Sequence, residues 1–169
     1  PTDDQNALTD VSPVRALAGR TSLNLWNCSA LADLGPLQGL PLTRLTIGSF
    51  NVSNQVRDLK PLQCMRLTEL QLYQCQVEDL KPLAGMPLIR LRVFSRQVRD
   101  RAPLKGMPLT TLDLSYCTQI QDFTPLTGLP FTGLHLNGCQ IRDLQPLLGL
   151  KLTEVSLAGT RVQDLQQLK

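Results

Sequence analysis

Hydrophobic and polar positions alternate in short blocks that recur along nearly the whole chain. Each block reads Leu-x-Leu or a close variant, and this alternation predicts a short β-strand that buries its leucines on one face. The blocks start 22, 25, 21, 21, 22 and 21 residues apart, at Leu23, Leu45, Leu70, Leu91, Leu112, Leu134 and Val155. A period in the low twenties indicates a solenoid, in which each repeat buries its apolar face against its neighbours.

A second pattern follows each strand. An aspartate stands three residues before a proline, where it can accept a backbone N–H of the coming turn. The proline has φ fixed at about −65° and suits a short 3₁₀ turn, and a glycine three residues later suits the reversal that ends it. The aspartates are Asp33, Asp58, Asp79, Asp100, Asp122, Asp143 and Asp164, with Gln167 in the place of the last proline. The glycines are Gly39, Gly85, Gly106, Gly128 and Gly149.

The length variation lies between each strand and its proline. Each proline stands nine residues before the next strand start, whereas the count from strand start to proline ranges from 12 to 16. The longest of these segments includes residues 50–55. A stacked core cannot absorb insertions, so the extra residues are expected in loops along one face.

These patterns predict an α/β solenoid. We expect a right-handed superhelix with a curved parallel β-sheet on the concave face and short 3₁₀ or helical turns on the convex side. Residues 1–169 then form a single domain of about seven repeats, preceded by an N-terminal half repeat that begins near Leu8. Neither end carries a polar capping repeat, so we expect either a fragment of a longer chain or light capping by irregular ends.

The stretch from Leu70 to Leu88 reads Leu-x-Leu-x-x-Cys-x-Val-x-Asp-Leu-x-Pro-Leu-x-Gly-Met-Pro-Leu. It resembles the short bacterial leucine-rich repeat, related to the internalin-like and SDS22-like classes with their Asp-x-x-Pro-Leu turn, and the resemblance covers about residues 8–169. Some proteins of this type carry such repeats on a serine/threonine kinase. The family usually places asparagine, as a ladder, three residues after the second leucine. The residues found there are Cys28, Phe50, Cys75, Arg96, Cys117, Cys139 and Thr160. Backbone bonding by an asparagine ladder must therefore be weaker or replaced, above all near Phe50 and Arg96.

The cysteines indicate free thiols. Cys28, Cys75, Cys117 and Cys139 share the ladder position, so their side chains point the same way along the stack, which suits a disulfide poorly. We interpret them as buried thiols that act as small hydrophobes, which favours a reducing compartment such as the cytoplasm. Cys64 takes the place of a turn glycine and is predicted to be partly exposed.

Charge and motifs exclude several function classes. The formal net charge is +3, from 17 basic and 14 acidic residues that are interspersed, which argues against a nucleic-acid footprint. No apolar run approaches the roughly 18 residues of a membrane span. There is no phosphate-binding glycine loop and no Cys-x-x-Cys. We therefore expect no cofactor, no metal, no nucleic acid and no membrane insertion, and a monomer.

The outward positions of the strands suggest a binding face. If the leucines point inward, the residues between and after them point outward, and this places Trp26, Tyr73 and Phe94 in one column. Aromatic residues and arginines dominate binding hot spots. The predicted site for a protein or peptide partner comprises Arg44, Tyr73, Arg90, Arg92, Phe94 and Tyr116. The alternative is that the rings only pack along the sheet under arginine stems.

Asp113, His135 and Ser156 fall in one outward column on successive strands, in the order of a hydrolytic relay. Catalysis also needs hydrogen-bond contact and an oxyanion hole, and a regular parallel sheet offers neither pocket nor free N–H groups. We therefore predict a non-enzymatic recognition module. Two alternatives are a regulatory or targeting segment of a larger enzyme, such as a kinase, and a structural spacer without ligand.

Overall fold

The computed structural model describes residues 8–16, 19–120 and 123–163 of the chain. Each repeat supplies one strand and one 3₁₀ turn. The strands are β1 (Ser22–Trp26), β2 (Arg44–Gly48), β3 (Glu69–Tyr73), β4 (Arg90–Phe94), β5 (Thr111–Asp113), β6 (Gly133–His135) and β7 (Glu154–Ser156). The 3₁₀ turns are η1 (Ser12–Ala16), η2 (Gly35–Leu37), η3 (Lys60–Leu62), η4 (Lys81–Leu83), η5 (Ala102–Leu104), η6 (Thr124–Leu126) and η7 (Gln145–Leu147). Within these described ranges, no helix has the length and apolar character to cross a bilayer.

The seven strands form one open parallel sheet in sequence order, from β1 to β7. Equivalent residues of neighbouring repeats face each other, so that Leu45 lies opposite Leu70 and Leu91 opposite Leu112. This register confirms the predicted solenoid of parallel strands and 3₁₀ turns. Where a repeat lies on both sides, the leucines are buried. Leu23 in β1 is only half-buried and Val155 in β7 is exposed, because each of these strands has a paired neighbour on one side only.

The aspartate turns form as the sequence predicts. The backbone N–H of Gly35 donates to Asp33 Oδ1 at 2.7 Å, and the same bond to Asp79 measures 2.8 Å. The turn glycines have φ between 71° and 77°, and Cys64 takes the same conformation at 67°. The predicted turn residues Asp122, Asp164 and Gln167 lie outside the described residues.

The ladder position shows how the missing asparagines are replaced. In two repeats a thiol donates to a backbone carbonyl of the preceding repeat, from Cys117 Sγ to Val93 O at 3.2 Å and from Cys139 Sγ to Leu114 O at 3.1 Å. In the repeat of Arg96, the buried Ser95 hydroxyl donates to Val77 O at 2.6 Å. Arg96 itself is exposed.

The insertion after β2 brings an asparagine to the same position, where it binds the following repeat instead of the preceding one. Asn54 is buried, donates from Nδ2 to Tyr73 O at 3.1 Å, and accepts the Val56 N–H at 3.0 Å. It stands seven residues before Pro61, as Cys75 does before Pro82. The ladder is therefore replaced at both doubtful repeats, and Phe50 is released from the core.

A second ladder, which the sequence reading missed, runs along the starts of the strands. The Thr43 hydroxyl donates to Thr21 O, and that of Thr68 donates to Thr43 O, each at 3.1 Å. The same bond recurs at Thr110, Thr132 and Thr153. These bonds tie neighbouring repeats together just before the strands begin, except in the repeat of β4, where Ile89 takes the place of the threonine.

Thiol reactivity tests the buried ladder. Burial raises the pKa of Cys75 to about 11, of Cys117 to about 12 and of Cys139 to about 11, whereas Cys64 is exposed. Alkylation at pH 8, followed by mass spectrometry, is expected to modify Cys64 first and the other three only slowly, because thiolate is the reactive form. Similar rates at all four thiols would contradict their burial.

The same shifts predict an alkaline loss of stability. Unfolded thiols titrate near about pH 8.5, so a raised pKa in the folded state means that folding favours the protonated form. This contribution is complete below about pH 8.5 and is lost as the pH rises towards 11 to 12. Chemical denaturation at pH 8 and pH 10 measures it.

Candidate functional site

The sheet face opposite the leucine core, called here the outer sheet face, holds the predicted binding residues. β1, β3 and β4 each end in an aromatic residue, and the in-register positions of Trp26, Gly48, Tyr73 and Phe94 place these three rings along one line. The column thus forms as predicted. In β2 its position is held by Gly48, which has no side chain.

Five rings form a continuous row, called here the aromatic ridge: Trp26, Phe50, Tyr73, Phe94 and Tyr116. Every contact is edge to face. The ring centroids are 4.9 Å apart for Trp26 and Phe50, 4.9 Å for Trp26 and Tyr73, and 5.0 Å for Phe50 and Tyr73. The row continues to Phe94 at 5.1 Å and to Tyr116 at 5.9 Å. Such pairs contribute about 0.5–1.5 kcal/mol each beyond burial, so the ring contacts stabilise this arrangement of the side chains.

Phe50 belongs to the ridge because Gly48 leaves the space. Gly48 has φ of 108°, and a Cβ built on it would lie 1.9 Å from Tyr73 O. No side chain can therefore stand at this point of β2, and the ring of Phe50 reaches the gap from the insertion that follows. The sequence analysis placed Phe50 at the ladder position and missed this contact. Counting backwards from Pro61, which assigns the ladder to Asn54, would have found it.

The ridge is not uniformly exposed. Phe50 and Tyr116 are 60% and 54% exposed, Trp26 and Phe94 are half-buried, and Tyr73 is only 3% exposed. The expectation that Tyr73 is displayed therefore differs from the structure, because rings on both sides cover it. The low stretch of Tyr73 and Phe94 between the two protruding rings is called here the saddle.

A chain of hydrogen bonds runs beside the ridge on the same sheet face. Gln71 Nε2 donates to Glu69 Oε1 at 2.5 Å, and the Tyr73 hydroxyl donates to Gln71 Oε1 at 2.7 Å. Arg92 Nη1 donates to the Tyr73 hydroxyl oxygen at 2.6 Å, and Arg92 Nε to Asp113 Oδ2 at 2.9 Å. Burial lowers the pKa of Arg92, but its bonds to Tyr73 and Asp113 outweigh this, so the pKa is raised and the guanidinium stays charged.

The other two predicted arginines are more exposed. Arg90 Nη1 lies 3.8 Å from Glu69 Oε2, and its side chain is 66% exposed. Arg44 is exposed and lies next to Glu69 across the β2–β3 pair. An exposed ion pair of this length contributes little to stability, so both arginines are available to a ligand. The structure thus brings Tyr73, Arg92, Phe94 and Tyr116 together, with Arg90 beside them and Arg44 farther along the face.

A small recess opens beside the ridge, between β3, β4 and β5. Its volume is about 80 Å³. Its lining consists of Glu69, Leu70, Gln71, Arg90, Leu91, Arg92, Thr111 and Asp113.

Asp113, His135 and Ser156, the outward column in the order of a hydrolytic relay, are not hydrogen-bonded to one another. Asp113 binds Arg92 and accepts the Ser115 N–H at 3.0 Å. His135 Nε2 lies 3.6 Å from Glu154 Oε1 instead, and the Ser156 hydroxyl donates to Asn137 Oδ1 at 2.6 Å. Each of the three groups is therefore engaged by another partner. Nor do the residues of the described ranges include a cluster of three or more His, Cys, Asp or Glu that could hold a metal ion.

Two solved structures are similar to the chain. A crystal structure of an internalin, InlF, from Listeria monocytogenes aligns with a TM-score of 0.79 at 30% identity and covers 95% of this chain and 47% of that one. Internalin C2 from the same organism aligns with a TM-score of 0.60 at 32% identity and covers 76% of this chain and 67% of that one. The chain thus spans about half the length of InlF. A scan against protein-family models and a search of curated proteins find no match.

Proposed function

Because the chain belongs to the internalin-like leucine-rich repeat proteins, we propose that it is a non-enzymatic recognition module that binds a protein or peptide partner on its outer sheet face. The observation that carries the proposal is the aromatic ridge. It combines two protruding rings, Phe50 and Tyr116, with a covered floor at Tyr73. The extended sheet surface of a solenoid suits recognition of this kind.

The ridge is organised as a binding surface before any partner arrives. Phe50 and Tyr116 each touch a neighbouring ring of the row, so little side-chain entropy remains to be lost on binding. Aromatic side chains held in this way bury a large area at low cost. Exposed contiguous apolar surface on a protein is typical of an interaction site.

The arginines add direction to this apolar strip. Arg90 and Arg92 lie on β4 beside the saddle, and Arg92 is fixed by Tyr73 and Asp113. Arginine next to aromatic rings is the combination enriched at protein interfaces. A partner that covers the saddle therefore also meets positive charge.

The test uses a ridge variant, Phe50→Ser together with Tyr116→Ser. Both side chains are more than half exposed, so their removal leaves the core filled. Wild-type protein immobilised on beads is expected to capture a partner from an extract of the cells that express it, as identified by mass spectrometry. The ridge variant is expected to bind that partner at least about 30-fold more weakly, since two hot-spot aromatics each contribute about 1 kcal/mol or more.

The matched control is Ile89→Ser together with Leu148→Ser. These residues are also exposed and apolar, but Ile89 precedes β4 at the opposite end from Phe94, and Leu148 follows η7. The control is expected to bind as the wild type does. A partner captured equally by the ridge variant, or no partner at all, contradicts the proposal and favours a structural spacer.

A further inference from the structure

From the layout of the outer sheet face, we infer that the bound segment is an extended acidic peptide. Its apolar side chain enters the saddle, and the carboxylate of a nearby Asp or Glu binds at Arg90 and Arg92. This inference rests on the proposed function and adds the chemistry of the partner.

The saddle has the dimensions of an apolar side-chain site. Its floor is Tyr73 and Phe94, and its walls are Phe50 and Tyr116. The centroid steps from wall to wall are 5.0, 5.1 and 5.9 Å. Tyr73 is covered by its neighbours, so an apolar side chain of the segment contacts the half-buried ring of Phe94 and the exposed rings of Phe50 and Tyr116. An extended segment presents side chains on one face about every 6.8 Å, so its next residues pass over β4.

In the recess beside the saddle, the hydrogen-bond donors that remain for a ligand outnumber the acceptors. Asp113 is almost fully buried and already binds Arg92 and the Ser115 N–H. Glu69 accepts from Gln71 and faces Arg90. Both carboxylates of the recess thus have partners within the protein, and Glu69 keeps only 22% of its side chain exposed, against 66% for Arg90.

The guanidinium groups of Arg90 and Arg92 have more unpaired hydrogen-bonding capacity than the carboxylates of the recess. Arginine has five N–H donors, and Arg92 donates from Nε to Asp113 and from Nη1 to Tyr73. Arg90 has only the loose 3.8 Å contact with Glu69. A carboxylate can therefore bind between the two arginines by charge-assisted hydrogen bonds, which are the stronger class. The recess has a volume of about 80 Å³, several times the roughly 10–15 Å³ of cavity that a single water needs, which leaves room for such a group.

Charge along the face orients the segment. Arg44, Arg90 and Arg92 against Glu69 and Asp113 leave one net positive charge on β2 to β5. The exposed acid at the far end is Glu154 in β7. Complementarity therefore places the acidic part of the partner over β2 to β4 and away from β7.

A display experiment tests this chemistry. Random dodecapeptides on phage are selected on the wild-type protein, and clones that also bind the ridge variant are removed. The recovered peptides are expected to carry Asp or Glu within two to four residues of an aromatic or branched aliphatic residue. Their synthetic forms are then titrated against Arg90→Gln, whose side chain is exposed, and against Arg66→Gln, an exposed arginine between Met65 and Leu67 that serves as a charge-matched control.

Arg90→Gln is expected to lower the affinity about tenfold, whereas Arg66→Gln leaves it unchanged. Replacing the peptide carboxylate by the amide is expected to cause the same loss in the wild type and little further loss in Arg90→Gln, as a double-mutant cycle requires for a direct contact. Such a result would assign the carboxylate to Arg90.

The failures are separable. Peptides that depend on the ridge but show no acidic preference, or no response to Arg90→Gln, overturn this inference and leave the proposed function standing. No ridge-dependent peptide at all contradicts both. If no peptide is selected but the protein binds phosphatidylserine vesicles, and both the ridge variant and Arg90→Gln lose this binding, the face binds a lipid surface. That result would overturn both this inference and the proposed function.

Discussion

Gly48→Ala is expected to lower the free energy of unfolding by more than about 3 kcal/mol. The left-handed backbone of Gly48, with φ of 108°, costs an alanine about 1–2 kcal/mol. The added methyl would also lie 1.9 Å from Tyr73 O and 2.9 Å from Asn54 Nδ2. Either β2 and β3 move apart or the buried Asn54 amide is displaced, and each broken buried hydrogen bond costs about 1–3 kcal/mol.

The control for this prediction is Gly39→Ala. Gly39 also has positive φ, at 77°, but nothing lies within 4 Å of the new methyl. We expect a loss of only about 1–2 kcal/mol there. Chemical denaturation followed by circular dichroism measures both. If the two variants lose the same stability, the close approach of β2 to β3 at Gly48 is wrong.

Leu112→Ala is expected to destabilise the protein by about 2–5 kcal/mol. Leu112 is fully buried and lies between Leu91 and Leu134 of the neighbouring strands. Truncation removes apolar contacts on both sides, and the flanking repeats are held in register by their own hydrogen bonds, so the cavity cannot close.

Leu148→Ala provides the comparison, because the Leu148 side chain is exposed and substitutions of that kind usually change stability by no more than about 0.5 kcal/mol. Denaturation midpoints for the two variants give the difference. A loss below about 0.5 kcal/mol for Leu112→Ala would contradict the inward assignment of the first leucine of each Leu-x-Leu block.

The repeat itself was predictable because its constraints are local and recur. The alternating leucines require a strand, and the aspartate three residues before a proline requires a turn. Among the described residues, the aspartate turn forms with the same backbone bond at Asp33, Asp58, Asp79, Asp100 and Asp143. The period between strands then determines which residues stack, so the parallel register follows without knowledge of any long-range contact.

The candidate site was only partly predictable, because it depends on how a single insertion is accommodated. Alternation placed Tyr73 and Phe94 on the outer face correctly. It could not show that Tyr73 would be covered, since that depends on Phe50 arriving from a different repeat. Whether Asn54 or Phe50 enters the core is decided by competition for one buried position, which a buried amide with two backbone partners wins.

Trp26 is the only tryptophan of the chain, and its position in the aromatic ridge makes it an internal optical reporter. Its indole touches Phe50 and Tyr73, whereas β7 lies six strands away. In a solenoid each repeat senses mainly its neighbours, so indole fluorescence follows the first repeats while the far-ultraviolet signal follows the whole sheet. A ligand that presses on the saddle displaces rings in direct contact with the indole, and its arrival can be read without attaching any dye.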